Sequence, residues 1–318
     1  MSSMEIYKLV KEYKNGVRAL DELSLNVNSG QIFALLGPNG AGKSSLINIL
    51  TTYYRATSGS VTILGRNLFK EPAWVRTQIA CVAQQVSIDT HLSLRENMIF
   101  QSRLYKVETG VAQKRIDSLI ESFELSGYLK YPVASYSGGV KRRLDIAMNM
   151  VSFPQILFLD EPTVGMDALS RKEMWRMLLK IRAEYGTTIF LTTHYLEEAD
   201  QLSDTICIMK DGKKLVQGTP GSLRSYIRQN LLRIGFSSAG LAQKQKDALD
   251  NAGLVKFASV RDYSVLVSVD NRRTAFTTVN KWLLEHQVEF DAIEIVEPSL
   301  EDVFLALTAE NRKERWLC

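Results

Sequence analysis

Gly37-Pro38-Asn39-Gly40-Ala41-Gly42-Lys43-Ser44 follows the apolar run Ile32 to Leu36 and fits the pattern GxxxxGK[ST]. A segment of this kind wraps an anion. Glycines let several backbone N–H groups turn toward one phosphate, because the required dihedrals and the close approach both exclude a Cβ. Lys43 then aims a full positive charge at the β- and γ-phosphates, and Ser44 offers a hydroxyl to Mg²⁺. Ser45 adds a donor at the N-terminus of a helix read through Leu50, where the helix dipole favours negative charge. Far along the chain, Asp160-Glu161 ends a second apolar run, Ile156 to Leu159. Acids at the carboxyl edge of a parallel strand stand where α/β sheets bind ligands. Asp160 suits the orienting of Mg²⁺ through its water shell, and Glu161 the polarising of an attacking water. His194 closes a third run, Thr188 to Thr193, from which it could bridge a γ-phosphate and a carboxylate. His91 and His286 lack any such context.

Positioning these groups requires a sheet with helices on it. Over the first 220 residues, short apolar runs alternate with longer helical patterns, which predicts an α/β fold around a largely parallel sheet. Strands are expected at Leu23 to Val27, Ile32 to Leu36, Val61 to Leu64, Ile156 to Leu159, Thr188 to Leu191 and Thr205 to Met209. Between 87 and 150 the strand signal gives way to helical spacing around Leu94 to Tyr105, Val111 to Leu125 and Gly138 to Met150, a helical insert. Asp211-Gly212 reads as a hairpin turn closing the sheet. Gly218, Pro220 and Gly221 then punctuate the chain, placing a boundary near 225 between domains 1–225 and 226–318. Beyond it the expected order is strand Leu231 to Phe236, helix Leu241 to Ala252, strands Leu254 to Ser259 and Ser264 to Val269, helix Arg273 to His286 and strand Ala292 to Val296. That βαββαβ order suggests a small ferredoxin-like α+β domain, followed by a helix from Leu300 to Glu310.

With these motifs in place, the chain resembles the nucleotide-binding subunit of an ATP-binding cassette transporter over about residues 4 to 225. The resemblance implies a cassette-type ATPase with a mixed sheet and a helical subdomain. It implies that Tyr13 stacks on adenine, and that Gln84 touches Mg²⁺ and hinges the helical insert. Tyr136-Ser137-Gly138-Gly139-Val140 resembles the signature that opens a helix, of which Ser137, Gly138 and Gly139 are the anion-binding part. Tyr136 and Val140 depart from the commonest Leu and Gln, and Val140 has no group to hydrogen-bond a ribose. Gly165-Met166-Asp167 resembles the loop that crosses the dimer interface, and His194 the switch histidine. Val140-Lys141-Arg142-Arg143-Leu144 and Pro298-Ser299-Leu300-Glu301-Asp302-Val303-Phe304 resemble subunits of bacterial drug, antibiotic and lipid-linked exporters.

The family architecture implies two copies meeting head to tail, each ATP lying between residues 37–45 of one and 137–139 of the other. It also implies separate transmembrane permease subunits, gripped by a groove between Gln84 and the helix carrying Arg95, Glu96, Met98 and Tyr105. The chain is thus expected at the cytoplasmic face of a membrane, peripheral through its partner and driving export, with an importer or self-resistance cassette as alternatives. Translation ATPases of the family carry two cassettes and repair types a long coiled coil, and this chain has neither feature. Its 318 residues suit about two domains. With 39 Lys and Arg against 35 Asp and Glu, the net charge of +4 is too small and dispersed for a nucleic-acid partner. The three cysteines, Cys81, Cys207 and Cys318, form no CxxC pair, and Met1 to Lys8 lacks a signal-peptide core, so a reducing cytosolic setting is expected.

Overall fold

The computed structural model describes residues 2–225, 230–255, 257–269, 272–297 and 299–308. It divides into two compact units, Met1–Thr219 and Pro220–Cys318. The first begins β1 (Ser2–Glu12), β2 (Arg18–Asn28), β3 (Ile32–Leu36), α1 (Lys43–Leu50), β4 (Ser58–Ile63), β5 (Arg66–Asn67), α2 (Pro72–Gln78) and β6 (Ile79–Val82). A helical block follows, α3 (Leu94–Leu104), α4 (Thr109–Ser122) and α5 (Gly138–Met150). The unit closes with β7 (Ile156–Asp160), α6 (Ala168–Tyr185), β8 (Thr188–Thr193), α7 (Leu196–Leu202), β9 (Thr205–Lys210) and β10 (Lys213–Gly218).

The central sheet has the order β10-β9-β3-β8-β7-β6, parallel throughout except for β10. β3 is buried at all five positions, as a strand covered on both faces must be, which is why it reads as an unbroken apolar run. Phe33 stacks on Phe190 of β8 at 5.1 Å, and Phe158 of β7 lies 5.5 Å from Phe190. Full burial of each ring contributes about 2–3 kcal/mol. Because β3, β8, β7 and β6 are parallel neighbours, their carboxyl ends open onto one edge. The β9–β10 turn takes Asp211 and Gly212 through φ of 50° and 74°, the left-handed pair a two-residue hairpin needs.

A second sheet, β2-β1-β4-β5, is antiparallel. The sequence reading gave no strand at β1. Its register shifts at several points and Lys8 turns to φ 45°, so Leu9 and Val10 are buried in succession and the alternation that marks a strand is lost. β6, four residues long, was too short to register as a strand. The helical block holds together through contacts among α3, α4 and α5, with Met98, Ile116, Leu119 and Leu144 buried. Ser93 and Glu96 form a reciprocal capping box at the start of α3.

The second unit runs α8 (Pro220–Arg224), β11 (Asn230–Gly235), α9 (Ala239–Asn251), β12 (Phe257–Arg261), β13 (Ser264–Val269), α10 (Arg272–Glu285), β14 (Ala292–Val296) and α11 (Leu300–Thr308). Its sheet is antiparallel, in the order β12-β13-β11-β14. Ala242 and Leu249 of α9 and Val279 and Leu283 of α10 join Leu232, Ile234, Val265 and Val267 in one core. α8 packs on α11, so the division falls at Thr219 and Pro220, a few residues before the expected 225. Asp302 of α11 accepts from the backbone N–H and hydroxyl of Ser299, each at 2.7 Å, and pairs with Arg261. Pro298, Glu310 and Cys318 lie outside the described residues. His286 stacks on Trp282 at 4.3 Å, a packing role.

Candidate active site

Four strand ends meet at one rim. Leu36 of β3 pairs with Thr193 of β8, Thr192 with Asp160 of β7, and Leu159 with Val82 of β6. The segments leaving these ends carry Gly37 to Ser44, His194, Glu161 and Gln84. Asn39 to Ser45, Gln84, Glu161 and His194 line a cavity of about 720 Å³, together with Arg18, Ala19, Val164 and Asp211.

The glycine loop is held by its own chain. Gly42 has φ 102°, and a Cβ there would meet the Ala19 carbonyl oxygen at 2.3 Å; one on Gly37 would meet that of Met209 at 2.5 Å. Gly40, at φ 83°, has open space around it. Lys43 is buried, and its Nζ donates to the carbonyls of Gly37 at 2.7 Å and Pro38 at 3.1 Å. Burial lowers its pKa, opposed by the charges of Glu161 and Asp160. The loop thus keeps a buried ammonium that two carboxylates help hold charged, a group suited to phosphate oxygens.

Glu161 adopts φ 46°, a left-handed conformation costing a non-glycine residue about 1–2 kcal/mol. Thr192 holds it there, its carbonyl and hydroxyl both accepting the Glu161 N–H, at 3.2 and 3.1 Å. The turn aims the carboxylate into the cavity, where Oε1 lies 3.3 Å from Nδ1 of His194. Asp160 sits just behind, half-buried and absent from the cavity lining, its Oδ1 accepting from the Thr192 hydroxyl at 2.5 Å. Thr192 therefore organises both acids. It drew no attention in the sequence because it lies inside an apolar run; a hydroxyl one strand over from paired acids was the available signal.

Tyr13 stands beside the loop, its hydroxyl 3.0 Å from that of Ser45, its ring edge-on to Tyr54 at 6.0 Å and under Lys11 Nζ at 5.0 Å. Ser137, Gly138 and Gly139 do not line the cavity. Ser137 instead caps α5, accepting from the Val140 N–H at 3.4 Å, and Val140 is buried, which explains an apolar residue there. Asp167 caps α6 in the same way, accepting from Leu169 and Ser170 N–H groups at 2.9 Å.

The helix expected beside Gln84 is α3, with Tyr105 at its C-terminal cap. Met98 is buried, Arg95 pairs with Asp117 at 2.7 Å, Glu96 closes the capping box, and the Tyr105 hydroxyl donates to Asn149 at 3.4 Å. The exposed apolar groups there are Val86, Phe100 and Leu104. Arg95 and Tyr105 thus tie α3 to α4 and α5, and Glu96 caps α3.

Among the described residues, no group of three or more His, Cys, Asp or Glu is placed to hold a metal. A Mg²⁺ ion arriving on phosphate oxygens needs only one or two protein ligands, and Ser44 and Gln84, both lining the cavity, fit that demand. Among the described residues no helix is long and apolar enough to cross a membrane.

Residues 20–164 match the ABC transporter family. The chain is 36% identical over 314 residues to a daunorubicin/doxorubicin resistance ATP-binding protein of Streptomyces peucetius, covering 98% of this chain and 94% of that one. It is 37% identical over 221 residues to the Nod factor export ATP-binding protein I of Sinorhizobium fredii, covering 70% of this chain and 64% of that one. Among solved structures it is similar to cbiO1 of Clostridium perfringens, described as part of the ABC transporter complex cbiONQ. There the TM-score is 0.66 and the identity 27%, covering 70% of this chain and 91% of that one.

Proposed function

Because the chain belongs to the ABC transporter family, as an exporter-type ATP-binding subunit that hydrolyses ATP and works with separate transmembrane subunits, we propose that its carboxyl-edge cavity is one half of a shared ATP site. The observation that carries this reading is the convergence of Lys43, Ser44, Gln84, Glu161 and His194 on one cavity. Residues 37–45 hold the phosphates by backbone N–H groups and the Lys43 charge, for which the ammonium exchanges its two loop carbonyls for phosphate oxygens. Tyr13 stacks on the base. Mg²⁺, held by Ser44 and Gln84 and steadied through water by Asp160, would supply charge neutralisation at the phosphate oxygens. Glu161 polarises the attacking water, and His194, within reach of Glu161, fixes its carboxylate and senses the γ-phosphate.

The other half of the site comes from a second copy. Ser137, Gly138 and Gly139 stand outside the cavity of their own chain, so a head-to-tail pair would close two sites at once, with ATP sealing the pair and hydrolysis releasing it. The exposed Val86, Phe100 and Leu104 are the surface on which a membrane subunit would dock, placing the chain at the cytoplasmic face of the membrane. The second unit is an accessory domain of ferredoxin-like order for pairing or regulation, with no group of three or more His, Cys, Asp or Glu placed to hold a metal among its described residues. Export follows the names of the relatives, drug resistance and Nod factor export. The test is reconstitution of the chain with its membrane subunits in vesicles, following ATP turnover and solute movement together. Export predicts movement away from the side carrying ATP; movement toward it, or turnover without any movement, would defeat the reading.

A further inference from the structure

Arg142 lies in α5, five residues beyond Ser137, with 3% of its surface exposed. Its guanidinium donates to three carbonyl oxygens, those of Ala83, of Asp160 at 3.0 Å and of Pro162 at 3.2 Å. Ala83 immediately precedes Gln84, while Asp160 and Pro162 flank Glu161. One turn on, Asp145 is fully buried, faces Arg142 at 3.5 Å and accepts from the Ser87 hydroxyl at 2.8 Å. The pair therefore grips the Gln84 loop from both sides and the Glu161 turn from both sides, all from the helix that Ser137 to Gly139 begin. Burial lowers the Arg142 pKa and raises that of Asp145, and each charge opposes the shift of the other. Leu144 and Ile146, buried elsewhere on α5, show that apolar groups fill this helix where only packing is required. An ion pair in such a place costs desolvation that packing alone would not.

We propose that Arg142 and Asp145 are positioning residues for hydrolysis, a latch that sets Gln84 and Glu161 in fixed relation to the signature end of α5. The proposal rests on the assignment of Gln84 and Glu161 to the ATP site. The planar guanidinium reaches three carbonyls at once, which a lysine ammonium on a single stem cannot reproduce. Loosening it displaces the carboxylate that acts on water and leaves the phosphate loop, which Arg142 does not touch, as it is. The signature of the latch is a loss in rate without a matching loss in nucleotide affinity.

The experiment compares Arg142→Lys and Ser87→Ala in the full-length chain assembled with its membrane subunits, measuring kcat, KM and ATP binding. Arg142→Lys is expected to lower kcat about 30-fold, since small misplacement of a reacting group costs on the order of a hundredfold. Binding of ATP should stay within about twofold, the loop being intact. Ser87 is exposed, so Ser87→Ala removes one hydrogen bond without threatening the fold, and should lower kcat about 3-fold. The double variant should lose less than the product of the two, because both act through one latch. An unchanged kcat in Arg142→Lys, or affinity falling in step with rate, overturns the proposal. Should Arg142→Lys fail to fold, Ser87→Ala decides alone, and wild-type kcat in that variant overturns it. A parallel Glu161→Gln chain separates the premises: full turnover there removes the site assignment itself, whereas lost turnover there with normal Arg142→Lys and Ser87→Ala chains removes only the latch.

Discussion

Two glycine-bearing helix starts in this chain, Gly42 before α1 and Gly138 at the head of α5, differ in what surrounds them. At Gly42 the backbone is left-handed and walled by the Ala19 carbonyl, where even a methyl group collides. At Gly138 no atom stands within 4 Å of where a Cβ would be, and Gly139 meets only the Ser170 side chain, at 3.3 Å. A glycine demanded by its own fold and a glycine with nothing near it serve different ends. The first shapes a loop that the chain finishes by itself. The second keeps a surface bare, which suits close approach by a molecule outside the chain, and the proposed head-to-tail pair supplies one.

That contrast can be tested in descending order of effect. Glu161→Gln should lower ATP turnover about a thousandfold while ATP still binds, since the amide fills the same space but takes no proton. Phosphate release assays and a shift to dimer on gel filtration with ATP would check it, and a monomer with normal turnover would refute the role. Lys43→Ala should weaken ATP binding about a hundredfold through loss of charge-assisted contacts, and titration calorimetry retaining wild-type affinity would break the first half of the comparison.

Gly42→Ala should cost about 2–4 kcal/mol in urea unfolding, from strain at positive φ and the collision with Ala19. Gly138→Ala, in contrast, should leave stability within about 0.5 kcal/mol and still weaken ATP-driven pairing of the Glu161→Gln chain. If Gly138→Ala pairs normally, the bare surface has no partner to admit. The smallest effect is expected from ending the chain after Thr219, which should leave ATP affinity within about twofold while weakening pairing or transport. A truncated chain that transports at the full rate would make the second unit dispensable.

The rim was legible in the sequence because its motifs fall at strand ends, and strand ends of a parallel sheet converge whatever the length of chain between them. Lys43, Glu161 and His194 needed only that rule to be placed together. The helical starts at Leu94 and Gly138 were legible too from their helical spacing, and a serine caps each in the structure. What spacing could not reveal were groups whose role depends on a neighbour distant in sequence. Thr192 matters because β8 lies beside β7, and Arg142 because α5 passes over two loops that begin about 60 residues before and 20 after it. Arg95 and Glu96, which the resemblance set on the helix beside a docking groove, are likewise held by a helical neighbour and a cap that only the folded block reveals.

The place of β3 also bears on how the protein is made. This five-residue apolar strand ends at residue 36, yet both of its neighbours, β8 and β9, begin only at residues 188 and 205. At about 5–20 residues per second of synthesis, its backbone edges wait about 8 to 30 s for partners. Until then a nascent chain carries a bare apolar strand of the kind that recruits other chains. Expression should therefore depend on shielding during translation, and chains ending between β7 and β8 should aggregate more than those ending after β10.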